Sequence, residues 1–280
     1  MAPIALVTGT STGIGLSTAV LLAHQGFEVV ATLRDSTRAE ALKARAAAEG
    51  VRLHVRTLDV SSDASVQGCV KDVLQAHGRI DLLVNNAGAG YLGTMEQTSE
   101  EALRRTMEVN FFGVWRVTQA VFAAMREQGS GRIISLSSIG GLVGQPFNDA
   151  YCAAKFAVEG FMEALAPVAA RLGIHVSLVE PGPVNTEFVN NVRATGNGTQ
   201  GDAPEVYRGL LAAYMQQSAK LYASGGQSAD DIAKLIVEAA TAQAPHLRYI
   251  TSDAMRAVFA LKTQDATGDA LLQQMGKRLT

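Results

Sequence analysis

"IALVTGTSTGIGLSTAVLLAHQGFEVVATLRD", residues 4–35, decides the fold. A short apolar run, "IALVTG" (4–9), enters a glycine-rich turn, a helical stretch follows, and a second apolar run, "FEVVATL" (27–33), closes the unit. This is strand, helix, strand, the start of a parallel α/β sheet. Gly9, Gly13 and Gly15 fall at the strand-to-helix turn. Glycines there let backbone approach a pyrophosphate, and the helix N-terminus offers free N–H groups and a positive dipole end. The G-x-x-x-G-x-G spacing differs from the commoner G-x-G-x-x-G, and its position in an N-terminal βαβ unit is what makes it informative.

The same letters spell a rival. Gly9-Thr10-Ser11-Thr12-Gly13 is also G-x-S-x-G, the nucleophile elbow of serine hydrolases. Against it, an elbow after the first strand leaves no earlier strand whose loop supplies a second oxyanion donor. The second strand ends "ATLRD" (31–35). An NAD site places an acidic residue about twenty positions beyond the glycines. Leu33 and Arg34 stand there instead, and a guanidinium grips a 2′-phosphate, so the expected cofactor is NADP(H), preferred over NAD(H).

Further apolar runs follow: "VRLHVRTLDV" (51–60), "IDLLVNNAG" (80–88), "GRIISLSS" (131–138) and "IHVSLVEPG" (174–182). Alternating with helical stretches, they predict a doubly wound parallel sheet covered on both faces. With 280 residues, 48% of them apolar, one large domain is expected, spanning 1–280. Residues 1–182 serve cofactor binding and catalysis, 183–228 form a substrate loop region, and 229–280 the C-terminal part. The stretch Thr195–Asp202, with Gly196, Gly198 and Gly201, is expected to be a mobile lid, with Phe188 and Tyr207 beside it covering the substrate.

A net charge of −2 without long runs of like charge argues against nucleic acid or an anionic membrane and for a small-molecule partner. "MAPIALVTG" has no basic leader and only a short apolar run, so a cytoplasmic location is expected. The five histidines fall at no ligand spacing, so no metal is expected. Cys69 and Cys152 read as plain buried residues, and "NGT" (197–199) as a turn.

"NDAYCAAKFAVEGF" (148–161) reads as an amphipathic helix, with Ala154, Val158 and Phe161 fit for burial. Tyr151 and Lys155, four residues apart, are neighbours on it. One reading is that both side chains merely snorkel, burying a stem and leaving a polar tip in water. The functional alternative is a lysine that draws the phenol pKa down and makes the tyrosine a usable proton donor.

Together these segments resemble the short-chain dehydrogenase/reductase family over nearly the whole chain. The T-G-x-x-x-G-I-G turn is Thr8 to Gly15, the adenine-contacting pair Asp59 and Val60, and the N-N-A-G motif Asn85 to Gly88. Asn110, Ser138, Tyr151 with Lys155, and Pro181 to Thr186 match the remaining motifs. "ATLRD" and "SSIGGLVGQPFNDAYCAAKFAVEG" look closest to the 17β-hydroxysteroid and retinol dehydrogenase branch. The resemblance implies a Rossmann-type fold with a mobile substrate loop and a C-terminal helical extension.

It also implies an enzyme that interconverts a ketone or aldehyde and an alcohol on a bulky apolar substrate. Its catalytic residues would be Asn110, Ser138, Tyr151 and Lys155. Its cofactor contacts would be Gly9, Ser11, Gly13, Ile14, Gly15, Arg34, Asp59, Val60, Asn86, Ala87, Gly88, Tyr151, Lys155, Pro181, Gly182, Val184 and Thr186. Tyr151 would be the general acid, Ser138 a second donor to the carbonyl oxygen, and Lys155 the holder of the nicotinamide ribose. Asn110 would anchor a water and Thr186 fix the carboxamide.

Ser138, thirteen positions before the tyrosine, fits the family spacing, and Ser135 and Ser137 read as structural. In estradiol-type members a histidine and a glutamate receive the remote steroid hydroxyl; Gln217 and Arg278 align with them here. Val143, Phe147, Phe188, Tyr214, Leu221 and Tyr222 are the apolar candidates for a substrate pocket. Ala153, Ala157, Gly160 and Ala164, with Phe112 and Val121, resemble a homodimer-forming surface. Two other classes stay open: the serine hydrolase, and a catalytically silent dinucleotide-binding regulator.

Overall fold

The computed structural model describes residues 2–187 and 204–280. The elements run β1 (Ile4–Thr8), α1 (Gly13–His24), β2 (Glu28–Leu33), α2 (Glu40–Ala48), β3 (Leu53–Thr57), α3 (Asp63–His77) and β4 (Leu82–Asn85). Then come α4 (Glu100–Met107), a π-helical turn (Glu108–Phe112), α5 (Gly113–Gln128), β5 (Gly131–Leu136), the short α6 (Ile139–Leu142), α7 (Asp149–Ala170) and β6 (Ile174–Glu180). After the undescribed stretch follow α8 (Glu205–Gly225), α9 (Ala229–Thr241), β7 (Arg248–Ile250), α10 (Asp253–Gln264) and α11 (Asp269–Gly276).

Among the described residues the strands form one sheet in the order β3-β2-β1-β4-β5-β6-β7, every pairing parallel. The chain starts at the centre, winds to β3, then reverses past β1, so the carboxyl ends of β1 and β4 flank the reversal. Ligands bind in open α/β sheets at such a reversal. Strand alternation sends Leu6, Val30, Leu83 and Ile133 to one face, against Val117, Val121, Val158 and Met162. Ala5, Val7, Val84 and Leu136 go to the other, against Leu16, Ala19, Ile232 and Ile236. The two cores are why β1 and β4 are apolar up to their last residues, Thr8 and Asn85.

The expected doubly wound parallel sheet is present. Three local expectations change. The apolar runs outlast their strands: β4 stops at Asn85, the first residue of N-N-A-G, and β5 at Leu136, and what comes after turns away from the ladder. The region 183–228 contains the helix α8, which buries Tyr214 and leaves Val206, Leu210 and Leu221 exposed; so thin an apolar side hid its periodicity. β7 has only three residues and was missed. The lid stretch 195–202 and Phe188 lie outside the described residues.

Candidate active site

The turn after β1 is built to let something come close. Gly9 and Gly13 have φ of +71° and +59°, which L side chains adopt at a cost. At Gly15 a Cβ would collide with the Asn86 amide and the Gly9 carbonyl. That amide donates to the carbonyls of Thr8 and Gly9, both at 2.8 Å, while Thr8 Oγ1 accepts from the Asn86 and Ala87 N–H groups at 3.0 Å. The N-N-A-G segment is therefore a clamp on the glycine turn. Asn86, expected as a cofactor contact, spends its side-chain donor on that clamp. Helix α1 starts without a side-chain cap and without an acidic residue in its first turn, so its N–H groups and dipole end are left for an anion.

At the end of β2, Arg34 and Arg38 are exposed and line the same cleft. Asp35, beside them, has its carboxylate turned into a cap, accepting from Thr37 N at 3.0 Å and Thr37 Oγ1 at 2.6 Å. Those bonds, more than the two arginines, hold its pKa below the ordinary carboxylate value. Among the described residues neither arginine forms an ion pair. Arg38 was not anticipated, although a second basic residue four positions beyond Arg34 is a signal that the sequence carries.

Asn110 sits in the π-helical turn, fully buried. Its Nδ2 donates to the carbonyls of Ala89 at 2.8 Å and Thr106 at 2.9 Å, and its Oδ1 accepts from Ala89 N at 3.1 Å. Such turns often mark functional positions. Here it aims one side chain at the loop after β4. Across Gly88 lies Lys155: a Cβ on that glycine would come to 3.0 Å from Asn110 Oδ1 and 3.8 Å from Lys155 Nζ. Lys155 is buried on α7, and its Nζ donates to the Leu136 carbonyl at 2.8 Å.

The three serines at the end of β5 and just beyond it separate cleanly. Ser135 is buried, its Oγ accepting from Asn85 Nδ2 at 3.1 Å. The Ser137 hydroxyl is buried against Gly141 and has no protein partner. Ser138 caps α6, accepting from Gly140 N at 3.0 Å, and its side chain is hydrogen-bonded to the Tyr151 phenol. Ser138, Tyr151 and Lys155 thus meet at one wall of a cleft of about 1110 Å³.

The electrostatics differ from the sequence expectation. Burial is the largest influence on Tyr151 and pushes its phenol above the usual tyrosine value, against the Ser138 hydrogen bond. Lys155 does not reverse this, because its Nζ stands 5.9 Å from the ring centroid and is turned to the Leu136 carbonyl. Burial in turn lowers Lys155 to about 8, opposed by Glu159 one turn along. Tyr151 is therefore held as a neutral phenol, the form that can donate a proton.

Every expected catalytic and cofactor residue lines this cleft, from Gly9, Ser11, Gly13, Ile14 and Gly15 through Arg34, Asp59, Val60, Asn86, Ala87, Gly88 and Asn110 to Pro181, Gly182, Val184 and Thr186. Thr186 approaches the Gly13 position to 3.4 Å, and Gly182 lies so close to Met255 of α10 that a Cβ would overlap its side chain. At the other end, Val143, Tyr214, Leu221, Tyr222, Gln217 and Arg278 line the cleft. Phe147 does not; its backbone takes φ of 62° and its ring packs 5.6 Å from Tyr214. Tyr207 does not either, and donates to Glu96 at 2.7 Å. Met255, Val258 and Met275 were missed, because only the folding back of α10 and α11 brings them there.

Behind the wall, Arg248 of β7 bonds to Glu159 of α7, to Glu180 at 3.1 Å and to Glu163 at 3.2 Å. Glu180 Oε2 also accepts from Tyr249 N at 3.0 Å. Burial, then repulsion from Glu159, raises Glu180 to about 8 in spite of Arg248. Cys69 and Cys152 are buried and unbridged, and burial raises both thiols to about 11. Among the described residues there is no metal-binding cluster and no helix long and apolar enough to cross a membrane.

Comparison with known proteins agrees with this geometry. A family model described as short chain dehydrogenase matches residues 3–197. Human retinol dehydrogenase 8 is 41% identical over 269 residues, covering 94% of this chain and 86% of that protein. Human 17-beta-hydroxysteroid dehydrogenase type 1 is 37% identical over 285 residues, covering 99% and 85%. A short-chain dehydrogenase/reductase from Burkholderia phymatum, solved in complex with NAD, superposes with a TM-score of 0.82 at 27% identity, covering 96% of this chain and 95% of that one. With the glycine cradle and the Ser138–Tyr151–Lys155 wall already placed in one cleft, these likenesses make the chain a member of the short-chain dehydrogenase/reductase family of oxidoreductases.

Proposed function

We propose that the protein is an NADP(H)-dependent oxidoreductase that interconverts a ketone or aldehyde and an alcohol on a bulky apolar substrate. The observation that carries this reading is one cleft holding the glycine cradle at one end, apolar side chains at the other, and Tyr151 hydrogen-bonded to Ser138 between them. A dinucleotide fits the cradle: the turn excludes a Cβ at Gly15, and the α1 N-terminus is uncapped. Bound there, the nicotinamide group supplies or accepts the hydride.

The chain's own residues do the rest. Tyr151, kept neutral by burial, donates its proton to the substrate oxygen in the reductive direction, and Ser138 donates a second hydrogen bond to the same oxygen. Lys155 is anchored by Leu136 near the Gly88 backbone, where its ammonium serves the nicotinamide ribose and the return of a proton to Tyr151. Asn110 shapes that corner through Ala89 and anchors a water there; Thr186 takes the carboxamide. The NADP preference rests on Arg34 and Arg38, both free of ion pairs among the described residues, with Asp35 occupied by Thr37. That one relative of the same fold was solved with NAD makes the two arginines the point to test.

The names of the two human relatives, a retinol and a hydroxysteroid dehydrogenase, favour a bulky apolar alcohol or ketone. The hydrolase reading loses its base, because among the described residues no histidine lines the cleft that holds Ser11. A homodimer is part of the reading. Phe112, Trp115 and Phe156 are exposed, and Ala153, Gly160 and Ala164 keep the neighbouring surface flat. Exposed apolar area of this kind marks an interface. Val121 takes no part in it, being fully buried in the core beneath. The deciding experiment is oxidation of NADPH and of NADH with a panel of steroid, retinoid and fatty-chain carbonyls. Absence of turnover with every member would leave the silent-regulator reading.

A further inference from the structure

Arg278 enters the substrate end of the cleft from the turn Lys277–Leu279. Its guanidinium carbon lies 4.5 Å from the centroid of the Tyr214 ring. Nη2 donates to Ser218 Oγ at 2.9 Å, Nη1 approaches Gln145 Oε1 at 3.4 Å, and Nε is buried with no acceptor among the described residues. None of these partners is a carboxylate. Elsewhere Arg45, Arg79, Arg116 and Arg248 each have one. The cleft's own carboxylates, Asp35, Asp59 and Glu187, belong to its cofactor end, Glu187 following the Thr186 that packs at Gly13.

The guanidinium is also held in place. The Tyr214 hydroxyl beneath it accepts from Asn148 Nδ2 at 2.8 Å, and Asn148 stands three residues before Tyr151, at the start of the same helix. A planar cation thus lies over a ring that is tied through Asn148 to the helix of the proton donor, with an unspent N–H inside a partly apolar pocket. Neutral acceptors satisfy some of its N–H groups, and among the described residues no side-chain carboxylate forms an ion pair with it. A carboxylate satisfies both the N–H groups and the charge, because the guanidinium fork matches its two oxygens.

We propose that Arg278 is the receptor for a carboxylate carried by the substrate at the end remote from its carbonyl. The inference deepens the reductase reading and rests on it: the preferred substrate is an oxo acid with an apolar body between the two polar ends. Arg278 then selects substrate and takes no part in proton or hydride transfer.

The test uses the full chain with NADPH and a series of aryl ketones bearing ω-carboxyalkyl chains of graded length, each paired with its methyl ester. At the best length the acid should exceed its ester by about 10- to 150-fold in kcat/KM, the range of a charge-assisted hydrogen bond. The gain should lie in KM with kcat unchanged. Arg278→Leu should bring the acid down to the level of the ester, and an unchanged circular dichroism spectrum with wild-type NADPH affinity shows that the variant folds. Arg278→Lys should keep part of the preference, retaining charge without the fork. Equal acid and ester in the wild type at every length, or a preference that survives Arg278→Leu, would overturn the proposal. If neither acid nor ester is reduced, the reductase reading fails by itself. Calorimetric binding of the acids to wild type and Arg278→Leu then still decides Arg278, equal affinities refuting it.

Discussion

Lys155 Nζ donates at 2.8 Å to the carbonyl of Leu136, the last residue of the strand that leads into Ser138. One bond therefore ties the lysine of α7 to the strand end that presents the serine, and sets the distance between the two halves of the site. Lys155→Ala removes the anchor and the ammonium together. We expect loss of both turnover and cofactor affinity, read by steady-state kinetics and by NADPH titration. Unchanged cofactor affinity would rule out the ribose role.

Tyr151→Phe removes only the hydroxyl. The fold and NADPH binding should remain, while kcat falls by about 10²- to 10⁴-fold, the usual worth of general acid catalysis. Retention of more than about a tenth of wild-type kcat contradicts the assignment.

Leu33→Asp with Arg34→Leu should move preference from NADPH toward NADH. The arginine alone is worth roughly 10- to 150-fold in Kd. Because Arg38 lines the same end of the cleft, adding Arg38→Leu should extend the shift. Titrations in which the NADPH/NADH ratio does not move in either variant would refute a 2′-phosphate site.

Arg248 neutralises Glu159 and Glu180 behind the catalytic helix. Arg248→Met leaves buried carboxylates unpaired and should cost about 3–5 kcal/mol of stability by denaturant unfolding. Glu180, raised from an ordinary 4.5 to about 8, binds its proton more tightly folded than unfolded. Stability from this group is therefore full below about pH 4.5 and declines as pH rises to about 8. Glu180→Gln should remove that decline from the Tm-against-pH curve. Parallel curves for variant and wild type would show that Glu180 does not titrate in this window.

Phe112→Glu with Trp115→Glu places charge on exposed apolar side chains at the start of α5 without touching the cleft. If that face joins two chains, sedimentation should show a dimer for wild type and a monomer for the variant. A wild-type monomer would end the dimer reading.

The alternation of apolar runs and helical stretches was enough to specify the parallel sheet, because strands buried on both faces read as nearly continuous apolar runs. The glycine turn was equally legible, since Gly9 and Gly13 take backbone angles that other residues resist. So was the pairing of Tyr151 with Lys155, a consequence of helical spacing alone. Asn110, Ser138 and the cofactor contacts beyond the glycine turn and Arg34 were reached through resemblance to a family, not through any local rule. Tertiary structure decided the rest. Spacing along a helix sets neighbours but not burial, so the raised Tyr151 phenol and the turning of Lys155 toward Leu136 could not be read from the letters. The three-residue β7 carries no period long enough to detect, yet it delivers Arg248 to Glu159 and Glu180. Likewise, nothing near Arg278 in the sequence shows that it will lie on Tyr214 without a carboxylate. Contacts between residues distant in the chain depend on how helices fold back over the sheet, and that information is carried by the packing of the whole core rather than by any one stretch.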